Sequence, residues 1–394
     1  MIRRPAARTA AWPSGSSTEK RVMSSPLSDQ DRAFLARAVH IAERGRGFVH
    51  PNPVAGCVLV REGAVVGEGF HGEYGGAHAE VNALKQAGSR AGGATAYVSL
   101  EPCAHFGKTP PCSAALAEAG VERVIYGGAD PGPGAGGRRA LAAAGVEIVG
   151  PVFGASEAAR QNPVFFHVHA TGIPYVAVKL AMTLDGMIAA RQGERTAITG
   201  AEAARGVQAL RREFDAIMVG GITARIDDPL LTVRSGPRAD RPPARVVLDT
   251  QAALSPTARM FEDVAVSPVH VFVGLEASRE ACSRLESAGA TVHPVPLEDG
   301  RVALPAVFAT LWSNGICSVL CEGGGVLTAS LLNAGRVQRL HLFIAPLTLG
   351  PDGVPAFPGV IRPDAMQGWT PVRAVETFGQ DVLVTWDRDT SEDP

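Results

Sequence analysis

Residues 78–112 read HAEVNALKQAGSRAGGATAYVSLEPCAHFGKTPPC, and this stretch carries the residue types of a catalytic zinc site. His78, Cys103 and Cys112 offer one imidazole and two thiolates, which would leave the fourth tetrahedral position of Zn²⁺ open to water. A structural zinc site is instead closed by four protein ligands. Glu80 lies two residues after the histidine and is better placed to move protons than to bind metal. We therefore predict a hydrolytic zinc centre in which Glu80 is the catalytic acid and base.

The segments around these ligands predict the secondary structure that would hold them. Residues 92–100 have the apolar pattern of a buried strand, and residues 113–119 resume a helical period. The two cysteines would then lie where a strand meets a helix, and the dipole of that helix would favour their thiolate forms. Zinc deaminases share this order of residues in the signature H-x-E…P-C-x-x-C, where a Glu that is not a ligand shuttles protons. Here eight residues separate the cysteines instead of two.

The length and composition suit a globular protein of two domains. With 394 residues, the chain is too long for one typical domain. Its formal net charge of -2 provides no general attraction to nucleic acid or anionic lipid, and no apolar stretch of the sequence is long enough to cross a bilayer. The cysteines are scattered, unlike the dense framework of a small secreted domain. We therefore expect a cytoplasmic protein without nucleic-acid or membrane partners.

Shifts in composition predict the domain boundaries. Residues 1–29 are rich in Arg, Ser, Ala and Pro and lack an apolar period, which is typical of a disordered extension. The alternatives are a targeting leader or a true start near Met23. After this extension we expect a zinc deaminase domain over residues 30–150, a linker over 151–173, a second domain over 174–388 and a tail over 389–394.

Both domains show an α/β pattern. In the first domain, residues 54–60 and 64–69 predict a β-hairpin, and strands and helices alternate after the zinc region. The linker predicts one short helix near residues 157–161. In the second domain, short buried strands alternate with helices, which predicts a largely parallel sheet. Glu322-Gly323-Gly324-Gly325 follows one such strand; it is either a plain turn or a helix start whose N–H groups can approach a pyrophosphate.

Motifs on both sides of the linker resemble one family. They are Asn52-Pro53-Val54-Ala55-Gly56-Cys57-Val58, Gly67-Glu68-Gly69-Phe70-His71, Thr109-Pro110-Pro111-Cys112, Lys179-Leu180-Ala181-Met182-Thr183-Leu184-Asp185-Gly186, Asp227-Asp228-Pro229-Leu230-Leu231-Thr232-Val233-Arg234 and Glu322-Gly323-Gly324-Gly325. Together they resemble the bifunctional deaminase/reductase family of riboflavin biosynthesis. The resemblance covers nearly all of the chain after residue 30, and the cysteine spacing with Thr-Pro-Pro-Cys is highly specific.

The resemblance implies two folds and two consecutive reactions. The folds would be a cytidine-deaminase-like α/β/α sandwich and a C-terminal dihydrofolate-reductase-like α/β domain. The first domain would use Zn²⁺ to hydrolyse the 2-amino group of 2,5-diamino-6-(5-phosphoribosylamino)pyrimidin-4-one. The second would use NADPH to reduce the ribosyl group to a ribityl chain. The family also associates through its reductase half, so we expect a homo-oligomer.

In the deaminase domain, the resemblance implies two substrate contacts. Asn52 would face the pyrimidine, because an amide offers both a donor and an acceptor to a heterocycle edge; a turn residue between two prolines is the alternative. His71 would also contact the substrate, unless it is a solvent-facing loop histidine. One departure stands out, because the family pattern Asp-Pro-Asn-Pro is replaced here by Asp130-Pro131-Gly132-Pro133. The missing Asn side chain puts one substrate contact in doubt.

In the reductase domain, the resemblance assigns two sets of residues. The positions that match substrate-binding residues are Lys179, Arg211, Leu231, Arg234 and Glu322, with Arg195 as a candidate phosphate ligand. The positions that match cofactor-binding residues are Ala181, Ala197, Thr223, Asp227, Thr250, Gly324, Gly325, Val326, Leu327, Thr328, Ala329 and Ser330. The two matched guanidinium groups could grip the 5-phosphate bidentately. Lys179 would hold the ribose hydroxyls, with a strand-end lysine in solvent as the alternative.

The reductase half also departs from the family pattern. Where the family shows Ser-x-Trp-Ile-Thr, this chain has Arg195-Thr196-Ala197-Ile198-Thr199, which lacks the aromatic side chain, and Ala253 stands where an Arg is common. One alternative is therefore a deaminase with an altered or inactive reductase-like domain. Others are a different nucleobase or RNA deaminase, which would need a basic groove with interleaved aromatic residues that the sequence does not show, and a non-catalytic protein with a structural zinc.

Overall fold

The computed structural model describes residues 27–106, 110–235, 242–360, 368–372 and 374–388. Residues 1–26 of the predicted extension and the predicted tail over 389–394 lie outside these ranges, as does Thr109 of the cysteine spacer. Among the helices in these ranges, none is long and apolar enough to cross a membrane.

The first unit is built on one five-stranded sheet. Its elements are α1 (Asp29–Ala42), β1 (Gly56–Arg61), β2 (Ala64–Phe70), α2 (Ala79–Ala87), β3 (Thr95–Leu100), α3 (Cys112–Glu118), β4 (Arg123–Gly128), α4 (Gly137–Ala143) and β5 (Glu147–Val149). The strand order is β2-β1-β3-β4-β5, with antiparallel pairing on both sides of β1 and parallel pairing from β3 to β5. The predicted hairpin is therefore present as β1 and β2.

Helices cover both faces of this sheet. Alternate side chains of β1 enter two separate cores, because side chains in a strand point to opposite faces. Cys57 and Leu59 pack on the side of α2, α3 and α4, whereas Val58 and Val60 pack with Leu35 of α1. The three layers confirm the predicted cytidine-deaminase-like α/β/α sandwich.

Two glycines of β2 let α2 lie unusually close to the sheet. A Cβ atom on Gly67 or Gly69 would lie 2.4 or 2.3 Å from a backbone carbonyl oxygen of α2, which is closer than real Cβ atoms come. Any larger residue would therefore push the helix outward. His78 is the N-cap of α2 and Glu80 lies in its first turn, so this close packing sets the depth of both side chains in the molecule.

The segment between the two units is more helical than the sequence predicted. It forms α5 (Ala155–Gln161) and α6 (Pro163–Thr171) rather than one short helix. Pro163 opens α6 at the first helical position, where its missing N–H has no intrahelical partner to lose. Gly172 ends α6 with a left-handed φ of 69°.

Asn162, between these two helices, ties them to the first unit. Its Oδ1 accepts a hydrogen bond from the backbone N–H of Val54 at 2.8 Å, and its Nδ2 donates to the carbonyl oxygen of Val54 at 3.1 Å. Both residues are buried. The position of α6 is therefore coupled to the segment that carries Asn52.

The second unit contains the remaining elements. They are β6 (Tyr175–Thr183), β7 (Met187–Ala189), α7 (Ala201–Arg211), β8 (Ala216–Gly220), α8 (Gly221–Asp227), β9 (Ala244–Leu248), β10 (Val269–Gly274), α9 (Arg279–Ser287), β11 (Ala290–Val295), β12 (Leu297–Glu298), β13 (Arg301–Val302), α10 (Leu304–Ser313), β14 (Ser318–Cys321), α11 (Gly325–Asn333), β15 (Arg339–Ala345), β16 (Val354–Pro355), β17 (Trp369–Pro371), β18 (Glu376–Phe378) and β19 (Asp381–Arg388).

The main sheet of this unit is largely parallel. Its order is β11-β10-β9-β8-β14-β6-β15-β19-β17, and β18 also pairs with β19. All pairs from β11 to β15 are parallel, whereas β19 is antiparallel to its neighbours. A separate apolar core lies against each face. This arrangement confirms the α/β class expected for a dihydrofolate-reductase-like domain, although the C-terminal antiparallel strands were not predicted.

Candidate active sites

Three predicted metal ligands lie together at the start of α2 and α3. The side chains of His78, Cys103 and Cys112 offer one ligand atom each, and these atoms lie within 4.8 Å of one another. The Nδ1 atom of His78 is 3.6 Å from the Sγ of Cys103 and 3.3 Å from the Sγ of Cys112. A tetrahedral ion with bonds of about 2.3 Å to sulfur and about 2.0 Å to nitrogen would separate such atoms by roughly 3.5 Å. The donor set and its spacing therefore fit Zn²⁺.

The local backbone favours a thiolate at Cys103. The N–H of Cys112 donates a hydrogen bond to the Sγ of Cys103 at 3.3 Å. The thiol of Cys112 and the imidazole of His78 hold the pKa of Cys103 well below its ordinary value, to about 4. All six cysteines of the chain lie in the described ranges, and no disulfide joins any of them.

Glu80 is buried beside this cluster. Its side chain leaves the first turn of α2, and the residue is 4% exposed. Burial raises the pKa of Glu80, and the nearby Cys103 thiolate raises it further. A carboxyl group in such a setting can alternate between its protonated and ionised forms, as an acid–base catalyst must.

The cluster opens onto a cavity of about 380 Å³, which Asn52 and His71 also line. The Nδ1–H of His71 donates to the carbonyl oxygen of Ala77 at 3.1 Å, so its Nε2 is left as an acceptor. The Nδ2 of Asn52 donates to that Nε2 at 3.1 Å. Burial lowers the pKa of His71, which favours the neutral ring that this chain of hydrogen bonds requires. The orientation of the Asn52 amide is thereby set, with its carbonyl oxygen left to accept another hydrogen bond.

Glu101, two residues before Cys103, has a structural role. Its carboxylate accepts hydrogen bonds from the backbone N–H groups of Gly136 at 3.1 Å and Arg138 at 3.2 Å. These contacts hold the loop over residues 130–138, of which Asp130, Pro133 and Gly134 line the cavity.

Five residues from outside the first unit also line this cavity, and the sequence did not predict them. Three belong to α6 and two to the second unit: Phe165, Val168, His169, Trp312 and Cys317. No local motif marks them. The cavity wall is therefore built from both halves of the chain and from the segment that joins them.

A second cavity, of about 710 Å³, lies in the second unit and is lined by most of the predicted cofactor residues. Cavities that bind small molecules commonly measure about 300–1,000 Å³. Ten of the predicted cofactor positions line it: Ala181, Ala197, Thr223, Asp227, Thr250, Gly324, Gly325, Val326, Leu327 and Ser330. Thr328 and Ala329 are instead buried on the inner side of α11. Among the predicted substrate residues, Lys179, Arg195 and Glu322 line this cavity.

The turn at residues 322–325 fits a phosphate-bearing cofactor. It joins β14 to α11, as predicted, and Gly324 is the N-cap of the helix. The N–H of Gly324 donates to the hydroxyl of Thr223 at 3.1 Å, which joins two of the predicted cofactor positions. Because the glycines bring no side chains into the cavity, a pyrophosphate can approach the first N–H groups of α11.

Arg211 and Glu322 form a buried ion pair next to this cavity. The Nε and Nη2 atoms of Arg211 donate to the two carboxylate oxygens of Glu322 at 2.6 and 2.8 Å, and Nη1 donates to the carbonyl oxygen of Thr232 at 2.9 Å. The sequence expectation was that Arg211 grips the substrate phosphate; here its bidentate partner is Glu322. The described residues that line the cavity do not include Arg211, Leu231 or Arg234.

Charged groups at the floor of the cavity influence one another. Burial lowers the pKa of Lys179, and Glu322 opposes this shift. Burial raises the pKa of Asp227, and Arg195 and Lys179 oppose that shift. Arg195 therefore lies where its charge acts on a predicted cofactor position. Ala197 and Ala253 also line the cavity, and their small side chains leave room there.

Comparisons with known proteins match both units. The family model of the cytidine and deoxycytidylate deaminase zinc-binding region matches residues 28–128, and that of the RibD C-terminal domain matches residues 174–384. The first match contains the three predicted metal ligands and Glu80. The second contains the glycine turn and most residues that line the larger cavity. The chain is therefore a zinc deaminase joined to a reductase.

Relatives extend this match over most of the chain. The riboflavin biosynthesis protein RibD of Escherichia coli is 39% identical over 84% of this chain and 92% of its own length, and that of Bacillus amyloliquefaciens is 38% identical over 85% and 87%. The RibD structure from Acinetobacter baumannii has a TM-score of 0.79 at 36% identity, covering 91% of this chain and 98% of its own. This chain belongs to the RibD family. It is a bifunctional enzyme of riboflavin biosynthesis, with deaminase and reductase activities that use zinc and NADPH.

Proposed function

We propose that this chain carries out two consecutive reactions on one phosphoribosylated pyrimidine. The first removes the 2-amino group of 2,5-diamino-6-(5-phosphoribosylamino)pyrimidin-4-one, and the second reduces the ribosyl group of the resulting uracil with NADPH. A Thermotoga maritima structure with a TM-score of 0.77 and 31% identity is described as a diaminohydroxyphosphoribosylaminopyrimidine deaminase and 5-amino-6-(5-phosphoribosylamino)uracil reductase. The observation that carries the proposal is the convergence of His78, Cys103 and Cys112 beside the buried Glu80, at the wall of a cavity.

In the deaminase site, the protein supplies ligands, proton transfer and orientation. Zinc, when bound by His78, Cys103 and Cys112, lowers the pKa of water so that hydroxide is available near neutral pH. Glu80 carries one proton from the attacking water to the ring nitrogen, and then a second from the added hydroxyl to the amino group, which departs as ammonia. The carbonyl oxygen of Asn52 accepts a hydrogen bond from the pyrimidine, and His71 acts on the substrate by orienting Asn52.

In the reductase site, the protein mainly positions two ligands. NADPH, when bound, supplies the hydride, so the chain needs to align donor and acceptor and to exclude water. The glycine turn and α11 hold the cofactor, and Thr223 steadies that turn. Lys179 donates to the ribose hydroxyls, and Glu322 helps to hold Lys179 in its charged form.

Arg211 and Arg234 have different roles in this proposal. Arg211 has its donors engaged by Glu322 and Thr232, so we assign it the positioning of Glu322. Arg234 is exposed and its charge acts on Glu322, which suits a ligand of the substrate phosphate. Arg195 is a second cation at the cavity and a further candidate for a phosphate group.

We place the deaminase domain at residues 30–150, the connecting segment at 151–173 and the reductase domain at 174–388. We propose a cytoplasmic homo-oligomer that associates through its reductase half and has no nucleic-acid partner. The cysteines without disulfides suit a reducing compartment, and the net charge of -2 gives no bulk attraction to polyanions.

The test is to incubate the purified full chain with the diaminopyrimidine phosphate, with and without NADPH, and to identify the products by mass. Replacing an amino group by oxygen should raise the mass by about 1 Da without NADPH. Adding two hydrogens should raise it by about 2 Da more when NADPH is present. A zinc-loaded protein that releases no ammonia from this substrate would refute the proposal.

A further inference from the structure

Gly132 and His169 compete for one volume beside the deaminase cavity. A Cβ atom on Gly132 would lie 2.9 Å from the Nε2 and 3.1 Å from the Cε1 of His169, and 3.1 Å from the Cζ of Phe165. Gly132 does not have a left-handed φ, so the glycine is not needed for its backbone conformation. In the present arrangement the His169 ring occupies the volume where a side chain at position 132 would begin, so a larger residue there would displace the ring.

His169 is held in place from the side of α6. Its ring packs edge-on against Phe165, with centroids 4.5 Å apart and an interplanar angle of 75°. The helix itself is anchored by the two hydrogen bonds between Asn162 and Val54. A ring supported in this way has its position determined by the fold, as a ligand-binding side chain requires.

The ring is also accessible to a ligand and lies among groups of the deaminase site. His169 is exposed, and it lines the same cavity as His78 and Glu80. Asp130 lines that cavity as well, and its Oδ1 accepts a hydrogen bond from the N–H of Gly132 at 2.6 Å. Asp130 and His169 therefore both adjoin Gly132, since a Cβ atom on this glycine would lie 2.9 Å from the Nε2 of His169.

We propose that His169 is a substrate-binding residue of the deaminase, contributed by the helix between the two catalytic units. Its imidazole offers a polar atom to the phosphoribosylated pyrimidine, from the place that a side chain at position 132 would otherwise take. This inference rests on the proposed deaminase function. It gives the connecting segment a direct role in one active site and explains why Gly132 and His169 occur together in this chain.

The first test measures deamination by the full-length variants His169→Ala and His169→Phe. The phenylalanine keeps the ring and its packing on Phe165 but removes both nitrogens. Loss of one hydrogen bond to the substrate should raise KM for deamination about 3- to 10-fold in both variants, with unchanged zinc content and reductase rate. His40→Ala, at an exposed position of α1, is the matched control and should behave as wild type.

A wild-type KM for His169→Phe would show that the ring only packs, and the inference would fail. If the alanine variant folds poorly, its zinc content and reductase rate will reveal this, and the phenylalanine variant still decides the question. A wild-type chain that does not deaminate the substrate would instead overturn the proposed function, and this inference with it.

The second test exploits the shared volume. Gly132→Asn alone should raise KM, because the new side chain displaces the His169 ring. In the His169→Ala background the Asn side chain enters the vacated space, where its amide can offer a polar atom to the substrate in place of the imidazole. KM should therefore fall at least about 2-fold below that of His169→Ala alone. Such an outcome is the non-additive behaviour expected of neighbouring residues. Strictly additive effects of the two substitutions would show that the residues do not share a site and would contradict the inference.

Discussion

Arg211 and Glu322 are separated by 111 positions in the sequence, yet their side chains form a bidentate ion pair with N–O distances of 2.6 and 2.8 Å. Both side chains are about nine-tenths buried, at 9% and 11% exposure. A buried ion pair of this kind supports the stability of the fold only while both partners are present, because removal of one leaves the other charge buried without a partner. The pair also joins the end of α7 to the glycine turn that opens α11.

We expect Arg211→Met to destabilise the reductase domain by about 3–5 kcal/mol, because Glu322 would stay buried without its partner. Urea unfolding followed by circular dichroism measures this loss. The double variant Arg211→Met/Glu322→Leu removes both charges and should recover most of the stability. Equal losses in the single and double variants would contradict the ion-pair explanation.

The same pair predicts an acid-sensitive stability. Burial opposes ionisation of Glu322, but Arg211 together with Lys179 and Arg234 holds its pKa below the ordinary value. A depressed carboxyl pKa stabilises the fold above the unfolded pKa of about 4.3, and this contribution is lost as pH falls through the lower folded value. Unfolding free energy measured between about pH 6 and pH 3 should therefore fall less steeply in Glu322→Gln than in wild type. Parallel curves would rule out this contribution.

For the deaminase, Glu80→Gln should lower kcat about 10²- to 10⁴-fold, because the amide can no longer carry a proton between water and substrate. Zinc content and the reductase rate should remain at wild-type levels. Glu118→Gln, on the exposed side of α3, is the control for the same chemical change. A Glu80→Gln variant that still deaminates at the normal rate would exclude the assigned role.

Removal of metal should separate the two activities. Chelation, or the variants Cys103→Ser and Cys112→Ser, should abolish deamination and leave NADPH-dependent reduction of the deaminated substrate intact. The reason is that the ligands belong to the first unit, whereas the cofactor cavity is lined by the second. Cys282→Ser is the control, since Cys282 is not among the described residues that line either cavity. Zinc retained at full stoichiometry in the ligand variants would argue against this site.

A small change at the glycine turn should affect the reductase alone. A Cβ atom on Gly325 would lie 2.5 Å from the Cδ of Pro358 and 2.8 Å from the carbonyl oxygen of Pro355, so Gly325→Ala must shift the start of α11. We expect KM for NADPH to rise about 10-fold or more, because a misplacement of about 1 Å is costly in such sites. Gly154→Ala, where nothing lies within 4 Å of the new atom, is the matched control. An unchanged KM for NADPH in Gly325→Ala would mean that the turn does not bind the cofactor.

Loss of the hydrogen bonds between Asn162 and Val54 should weaken substrate binding by the deaminase. Asn162→Ala leaves the buried N–H of Val54 without its acceptor, at a cost of about 1–3 kcal/mol. Because Val54 follows the segment that carries Asn52, KM for deamination should rise while the reductase rate stays constant. Asn314→Ala, at the end of α10, removes an exposed amide and serves as the control. Loss of both activities together would indicate general unfolding instead.

Much of the fold was readable from local patterns. The hairpin, the alternation of strands and helices, and the strand-to-helix turn at residues 322–325 all appear where the sequence predicted them. The sequence predicted only one of the two helices in the connecting segment. The second, α6, is short and apolar around its circumference, so no clear period distinguishes it from a linker. The antiparallel strand β19 was not predicted, because its place in the main sheet depends on pairing with β15, which is distant in the sequence and sets Leu342 opposite Val384.

Local patterns in the sequence predicted the chemistry that we propose for the zinc centre. His78, Glu80, Cys103 and Cys112 are recognisable because ligand type and spacing along one helix and one strand end are local properties. The folded chain was needed to show that His169 and Trp312 complete the deaminase cavity and that Glu322 holds Arg211. Such contacts join residues distant in the chain through the packing of whole elements, and that packing leaves no short pattern in the residues that take part.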